Sequence, residues 1–304
     1  MINNKILITG GTGSFGYTAV EHFLQRGVQN IIIYSRDEYK QHLMRNQFND
    51  ERLQFVIGDV RDKERLLEAT RHVDIIIHAA AMKHIDICEQ NPGEAYKTNV
   101  QGSRNVTEAA LHNNVSLSIN LSADKAVYPA GVYGRTKADS ERIFLDANTQ
   151  ALIQGKPSRF VSLRYSNVLG SRGSVVEIFE EKLNRGETIS VLNENMIRLI
   201  VTQPQIIALV QYTMQHAVGG ETFLIESPVL KISDLAYAMK EKIGKGNVEI
   251  KQELREGEKY DATLLSGDES QRTIVSPENY LIIFPKNGLL PREAFTAMHG
   301  STLF

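Results

Sequence analysis

Short apolar runs alternate with amphipathic segments from the start of this chain. Lys5–Thr9, Ile31–Tyr34, Phe55–Ile57, Asp74–Ala79, Leu117–Leu121 and Phe160–Leu163 are brief and rich in Ile, Leu, Val and Phe, which predicts strands buried on both faces of a parallel sheet. Between them, Ser14–Arg26, Asp62–Thr70, Pro92–His112 and Tyr133–Ala147 repeat apolar residues at helical spacing, and Pro92 suits a first turn. This alternation predicts an α/β fold built on a doubly wound parallel sheet. The rhythm breaks after about Gly170. A helix over Val175–Asn184, a helix over Pro204–His216 and later pieces at Thr222–Ile225, Ser233–Ile243 and Val248–Gln252 predict a smaller mixed α/β lobe that interleaves with the sheet. We expect the sheet domain over 1–170, the lobe mainly over 171–275, and a tail over 276–304. The tail carries three of the eight prolines and no clean periodicity, so it reads as a surface-hugging extension. No internal repeat is visible.

Composition narrows the class. With 304 residues, 42% of them hydrophobic, the chain can bury a large core, and disorder is not expected. Lys and Arg total 34 against 36 Asp and Glu, scattered rather than clustered, so the electrostatic footprint of a nucleic-acid binder is missing. One cysteine, Cys88, permits no internal disulfide and suits a reducing compartment; a small apolar residue early in a helix is its simplest reading. The first residues run into a strand pattern without a signal-peptide core, and no apolar stretch approaches the roughly 20 residues of a membrane span. A cytoplasmic protein without a membrane partner or bound metal is the expectation.

The first strand runs into Thr9-Gly10-Gly11-Thr12-Gly13-Ser14-Phe15-Gly16 and then a helix. Glycines at that junction allow a tight turn and close approach of a pyrophosphate to the N–H groups of the helix N-terminus. Gly10, Thr12, Gly13, Ser14, Phe15 and Gly16 are therefore candidate dinucleotide ligands. The second strand ends at Ser35-Arg36-Asp37. An NAD site puts an acidic residue first there, to accept from the ribose 2′-hydroxyl; Ser35, Arg36 and Lys40 instead suit a 2′-phosphate, favouring NADP, while Asp37 keeps NAD open. Asp59 and Val60 follow the third strand, where Asp59 could hydrogen-bond adenine, and Ala79, Ala80 and Ala81 after the fourth leave room for a cofactor backbone.

A second constellation carries chemistry. Ser122-Ala123-Asp124-Lys125 precedes Tyr133-x-x-x-Lys137. A phenol that must accept a proton from a substrate hydroxyl needs a cation nearby, and a lysine four residues along a helix lies on the same face. Asp124 and Lys125 add an acid and a base for a second step.

With the glycine loop, Asp59-Val60, His78-Ala79-Ala80-Ala81 and Tyr133-x-x-x-Lys137 in this order, the chain resembles the extended short-chain dehydrogenase/reductases, whose nucleotide domain is a Rossmann sheet. Tyr34-Ser35-Arg36-Asp37-Glu38, Ala81-Met82-Lys83-His84, Asp124-Lys125-Ala126-Val127, the run from Arg164 to Val175 and Arg255-Glu256-Gly257-Glu258-Lys259 look like the nucleotide-sugar 4,6-dehydratases that act on UDP-N-acetylglucosamine and invert C5. These serve nonulosonic acid and capsular polysaccharide biosynthesis. The resemblance covers roughly residues 1–270 and implies Tyr133 and Lys137 at the sugar C4, Lys125 as the base at C5, and Asp124 as the acid for the departing 6-hydroxyl. It implies that Lys137 lowers the Tyr133 pKa and holds the nicotinamide ribose. Lys83, Asn99 and Asn167 would line the cleft between cofactor and sugar, Arg172, Arg198 and Arg255 would meet the substrate, and Glu258 its ribose. A homo-oligomer is also implied.

Two departures stand out. The family usually has Thr where this chain has Ala123, and Ser122 points to the opposite face of its strand. Relatives also continue with a helical stretch beyond the position of Phe304. A GDP-linked N-acetylhexosamine, a capsule-pathway dehydratase that also epimerises, a plain 4-epimerase and a non-catalytic NADP-binding sensor remain the alternatives.

Overall fold

A computed structural model of the chain describes residues 3–171, 173–286 and 302–303. The parallel core consists of β1 (Lys5–Thr9), β2 (Asn30–Ser35), β3 (Leu53–Ile57), β4 (Ile75–His78), β5 (Leu117–Ala123) and β6 (Arg159–Tyr165). Short strands β7 (Asn167–Val168), β8 (Thr188–Val191) and β9 (Ile197–Val201) follow, then β10 (Thr222–Ile225), β11 (Val229–Lys231) and β12 (Asn247–Ile250), and finally β13 (Thr273–Val275), β14 (Tyr280–Ile283) and β15 (Thr302–Leu303). One ten-stranded sheet runs β15-β13-β14-β10-β6-β5-β4-β1-β2-β3. From β3 to β10 every pairing is parallel, and the order reverses between β1 and β4. Ligands of open α/β sheets bind at such a switch point, outside the carboxyl ends of the strands.

The continuous apolar runs are explained by burial on both sides. Ile6, Ile8, Ile31, Ile33, Ile75 and Ile77 face one core with Phe23 and Ile207, while Leu7, Ile32, Tyr34 and Ile76 face another with Val106 and Phe144. Alternate residues of each strand thus enter opposite layers. Helix Ser14–Gln25 covers the first face; helices Gly102–His112 and Val132–Ile153 cover the second. A third cluster, Phe179, Leu183, Ile189, Val191, Met196, Ile232 and Ala236, is the core of the small lobe, built from helices Val175–Asn184 and Ile232–Ile243 against the β8–β12 pair.

Three expectations change. Thr222–Ile225 is not part of the small lobe: as β10 it extends the main sheet beside β6. The start of the tail is not a surface extension either. Tyr280–Ile283 pairs antiparallel with β10, and Leu281, Ile282 and Ile283 are buried. A strand covered on both faces shows no polar alternation, so the periodicity test misses it. Residues 287–301 and 304 lie outside the described residues. Finally, Pro92–His112 is interrupted by a π-helical turn over Tyr96–Gln101, which carries Asn99.

Candidate active site

The glycine loop joins β1 to helix Ser14–Gln25 with Gly10 at φ +63°, and a Cβ there would meet the Ala80 Cα at 2.8 Å. Gly13 donates its N–H to the Gly10 carbonyl at 2.9 Å, closing the turn. Gly16 acts differently: a Cβ at that position would overlap the Gly11 carbonyl, so it sets the packing of helix on loop rather than facing the cleft. Gly10, Thr12, Gly13, Ser14, Phe15, Ser35, Arg36, Lys40, Asp59, Val60, Ala79, Ala80 and Ala81 all line one large cleft. The loop and its small neighbours fit a dinucleotide pyrophosphate, because only glycine backbone lets the β1 and β4 ends approach this closely.

At the adenosine end, the Asp37 carboxylate caps helix Glu38–Phe48, accepting from the Lys40 N–H at 3.0 Å and pairing with the Lys40 ammonium at 2.9 Å. Arg36 stays 65% exposed, 3.7 Å from Asp59. Asp59 in turn accepts from Arg61 Nε and Nη2 at 3.0 and 2.6 Å. Ser35 Oγ takes a hydrogen bond from Gln41 at 3.1 Å.

The same cleft continues past the ends of β5 and β6 and against the small lobe, with a volume of about 1430 Å³. Single-ligand pockets run to roughly 1,000 Å³, so this one has room for a dinucleotide and a second nucleotide. β5 delivers Asp124 and Lys125 into it through a 3₁₀ turn, and helix Val132–Ile153 delivers Tyr133 and Lys137. The Lys125 ammonium lies 3.0 Å from Asp124 Oδ1 and donates to Asn167 Oδ1 at 2.7 Å. Asp124 is buried. Lys137 donates to the Leu121 carbonyl, and burial pulls its pKa down to about 8, against a smaller upward pull from Glu141. Burial pushes the Tyr133 phenol above its usual range, with Tyr165 and Asp124 adding to the rise. The expected lowering of Tyr133 by Lys137 is therefore not what the polypeptide alone achieves; desolvation dominates.

A buried polar chain fixes these elements. Thr9 Oγ1 meets His78 Nδ1 at 2.7 Å, His78 Nε2 meets Ser103 Oγ at 3.2 Å, Ser103 meets Ser140 at 2.7 Å, and Ser140 donates to Asn120 at 3.1 Å. The glycine loop, β4, β5 and the Tyr133 helix are thereby held in one register. Burial, with Lys137 adding, depresses the His78 pKa to about 3, so its ring is neutral.

Asn99 corrects an expectation. Its amide accepts from the Met82 N–H at 2.7 Å and donates to the Met82 carbonyl and to Thr136, both at 2.9 Å, so it lies behind the cleft wall as a brace. Lys83, Asn167, Arg198, Arg255 and Glu258 do line the cleft, and Arg198 pairs with Glu258 at 3.0 Å. Arg172 lies outside the described residues.

Two residues without an assigned role enter the site. Lys259 donates to the Val127 carbonyl at 2.5 Å and shares a small cavity with Asp124, Lys125 and Arg198; burial lowers its pKa, Asp124 opposing and Lys125 and Arg198 adding. Tyr165 stands beside Ala123 in the β5–β6 register and lines the cleft, whereas Ser122 pairs with Arg164 on the other face and its hydroxyl has no partner among the described residues. A tyrosine at a strand end was the available signal for the second, and the Arg255–Lys259 run for the first.

The comparisons agree with this geometry. Residues 6–283 match the family described as polysaccharide biosynthesis protein. An inverting UDP-N-acetylglucosamine 4,6-dehydratase of Campylobacter jejuni (strain 81-176) is 42% identical over 97% of this chain and 87% of its own. A UDP-glucose 4-epimerase of Rickettsia akari is 39% identical over 88% of this chain and 79% of its own. The solved structure of Pen from Bacillus thuringiensis superimposes with a TM-score of 0.88 at 36% identity, covering 93% of this chain and 88% of that one. The chain belongs to the polysaccharide biosynthesis protein family, on the fold of the extended short-chain dehydrogenase/reductases.

Proposed function

We propose that the protein is an NADP-dependent 4,6-dehydratase that converts UDP-N-acetylglucosamine to its 4-keto-6-deoxy derivative with inversion at C5. The observation that carries this is the Asp124–Lys125 pair, 3.0 Å apart and set in the same cleft as Tyr133 and Lys137. Oxidation or 4-epimerisation moves a proton and a hydride at C4 only and leaves that pair without a task. Loss of water across C5 and C6 needs one base and one acid. A bound nicotinamide dinucleotide supplies a hydride acceptor for C4 and a donor for C6.

Tyr133 takes the 4-hydroxyl proton as a phenolate and becomes a neutral phenol; the Lys137 ammonium favours that buried phenolate before the transfer. The resulting ketone acidifies C5. One proton passed from Lys125 to Asp124 gives a neutral amine and a carboxylic acid; the amine removes the C5 proton, the acid protonates the departing 6-hydroxyl, and a solvent-derived proton added to the opposite face of C5 restores its C–H bond with inversion. Asn167 holds the Lys125 ammonium in place at 2.7 Å. On the side where Ala123 offers no hydroxyl, the Tyr165 phenol takes that position. Arg198, Arg255 and Glu258 meet the nucleotide diphosphate and ribose.

NADP is supported by the engagement of Asp37 in its helix cap and with the Lys40 ammonium, which leaves Ser35 and the exposed Arg36 to face a 2′-phosphate, with Lys40 beside them. Incubation with UDP-N-acetylglucosamine in deuterated water tests the reading. The expected product is a 4-keto-6-deoxy sugar carrying deuterium at C5 with inverted configuration. A C4 epimer without deuterium would favour the epimerase alternative, and no turnover with either UDP- or GDP-linked N-acetylhexosamines would remove the enzyme reading.

A further inference from the structure

Helix Val132–Ile153, which presents Tyr133 and Lys137, begins at an N-cap that has no side chain, Gly131. Its first N–H group, on Val132, donates instead to Glu89 Oε1 at 2.6 Å, from the separate short helix Ile85–Gln90. A carboxylate there satisfies an otherwise orphaned donor and sits at the positive end of the helix dipole. The glycines around it are explained by the same oxygen. A Cβ on Gly131 would collide with Glu89 Oε1 and with the Gly257 Cα, and a Cβ on Gly257 would meet Glu89 Oε1 at 2.5 Å. Gly257 also requires its φ of +78°. It sits between Arg255 and Glu258, whose backbones are bonded at 3.1 Å, and it walls the small cavity against Asp124 and Lys125.

We infer that Glu89 is a positioning residue that clamps the 255–259 loop of the small lobe onto the start of the Tyr133 helix, so that nucleotide binding and the placement of Tyr133 are coupled through one carboxylate. This rests on the dehydratase reading of the cleft. Glu89→Ala is expected to raise the KM for UDP-N-acetylglucosamine and to lower kcat by about tenfold or more, with NADP affinity unchanged. Glu89→Gln, which keeps an oxygen acceptor, recovers most of the loss. Gly257→Ala, which keeps the Glu89 carboxylate but drives a methyl against its Oε1, is expected to raise KM as well.

Hydrogen exchange reads the coupling without turnover, and so separates failure of the clamp from failure of the dehydratase reading. Segments 128–137 and 253–261 should both exchange faster in Glu89→Ala. Unchanged exchange in 253–261, or lower stability with wild-type kcat and KM, overturns the clamp. Should the alanine variant not fold, Glu89→Asp, whose shorter side chain withdraws the carboxylate from Val132, decides by the same readouts.

Discussion

Burial holds the Lys137 ammonium at about 8, below its usual 10.5. Between those values the unfolded chain binds more protons than the folded one, so this group's contribution to stability rises with pH through that window and is poorest below pH 8. Replacing Lys137 by Met removes the penalty. Denaturation curves should show the stability of Lys137→Met relative to wild type falling between pH 8 and about 10.5; a pH-independent difference would mean that the buried ammonium is not the cause. Lys125→Ala should abolish deuterium entry at C5 while the protein still binds cofactor, and unchanged exchange would remove Lys125 as the base. Tyr165→Phe is expected to slow turnover, and Ala123→Thr in the same chain to restore part of it. Wild-type kcat in the single variant would show that Tyr133 works without that phenol.

At the scale of elements, the site depends on a buried charge cluster. Arg164, at the end of β6, is bidentate to Glu141 of the Tyr133 helix at 3.0 and 2.6 Å and to Glu269 at 2.9 Å, and it donates to the Leu264 carbonyl at 2.8 Å. Its side chain is 4% exposed. Removing the cation strands two part-buried carboxylates, so Arg164→Met should cost about 3–5 kcal/mol in chemical denaturation. A loss under 1 kcal/mol would mean that water reaches the pair. The glycine loop makes a similar case through volume. Gly16→Ala drives a methyl into the Gly11 carbonyl, and overpacking of this kind costs about 1–3 kcal/mol with weakened dinucleotide binding.

Across the whole molecule, the cleft joins two lobes whose residues are far apart in sequence, and the occupant of its distal half is best read by ligand-dependent melting. UDP should raise Tm more than GDP at equal concentration, because a ligand that binds only the folded state stabilises it by mass action; the opposite order would reassign the nucleotide. The doubly wound sheet, the dinucleotide loop and the Asp124–Lys125–Tyr133–Lys137 set were legible in the sequence because each depends on local spacing: strand and helix periods, glycines at a turn, a lysine one helical turn from a tyrosine. What the spacing could not carry was decided by packing. Tyr280–Ile283 has the composition of a tail segment until β10 pairs with it. Asn99 reads as a ligand until the π turn aims its amide at Met82 and Thr136. Tyr165 becomes a neighbour of Ala123 only through the β5–β6 register, and Glu89 reaches Val132 and Gly257 only because three distant segments converge. Sequence alone determined which chemical groups the protein has and which short elements present them; tertiary structure decided which of those groups meet, because long-range register and burial are properties of the packed sheet and not of any local stretch.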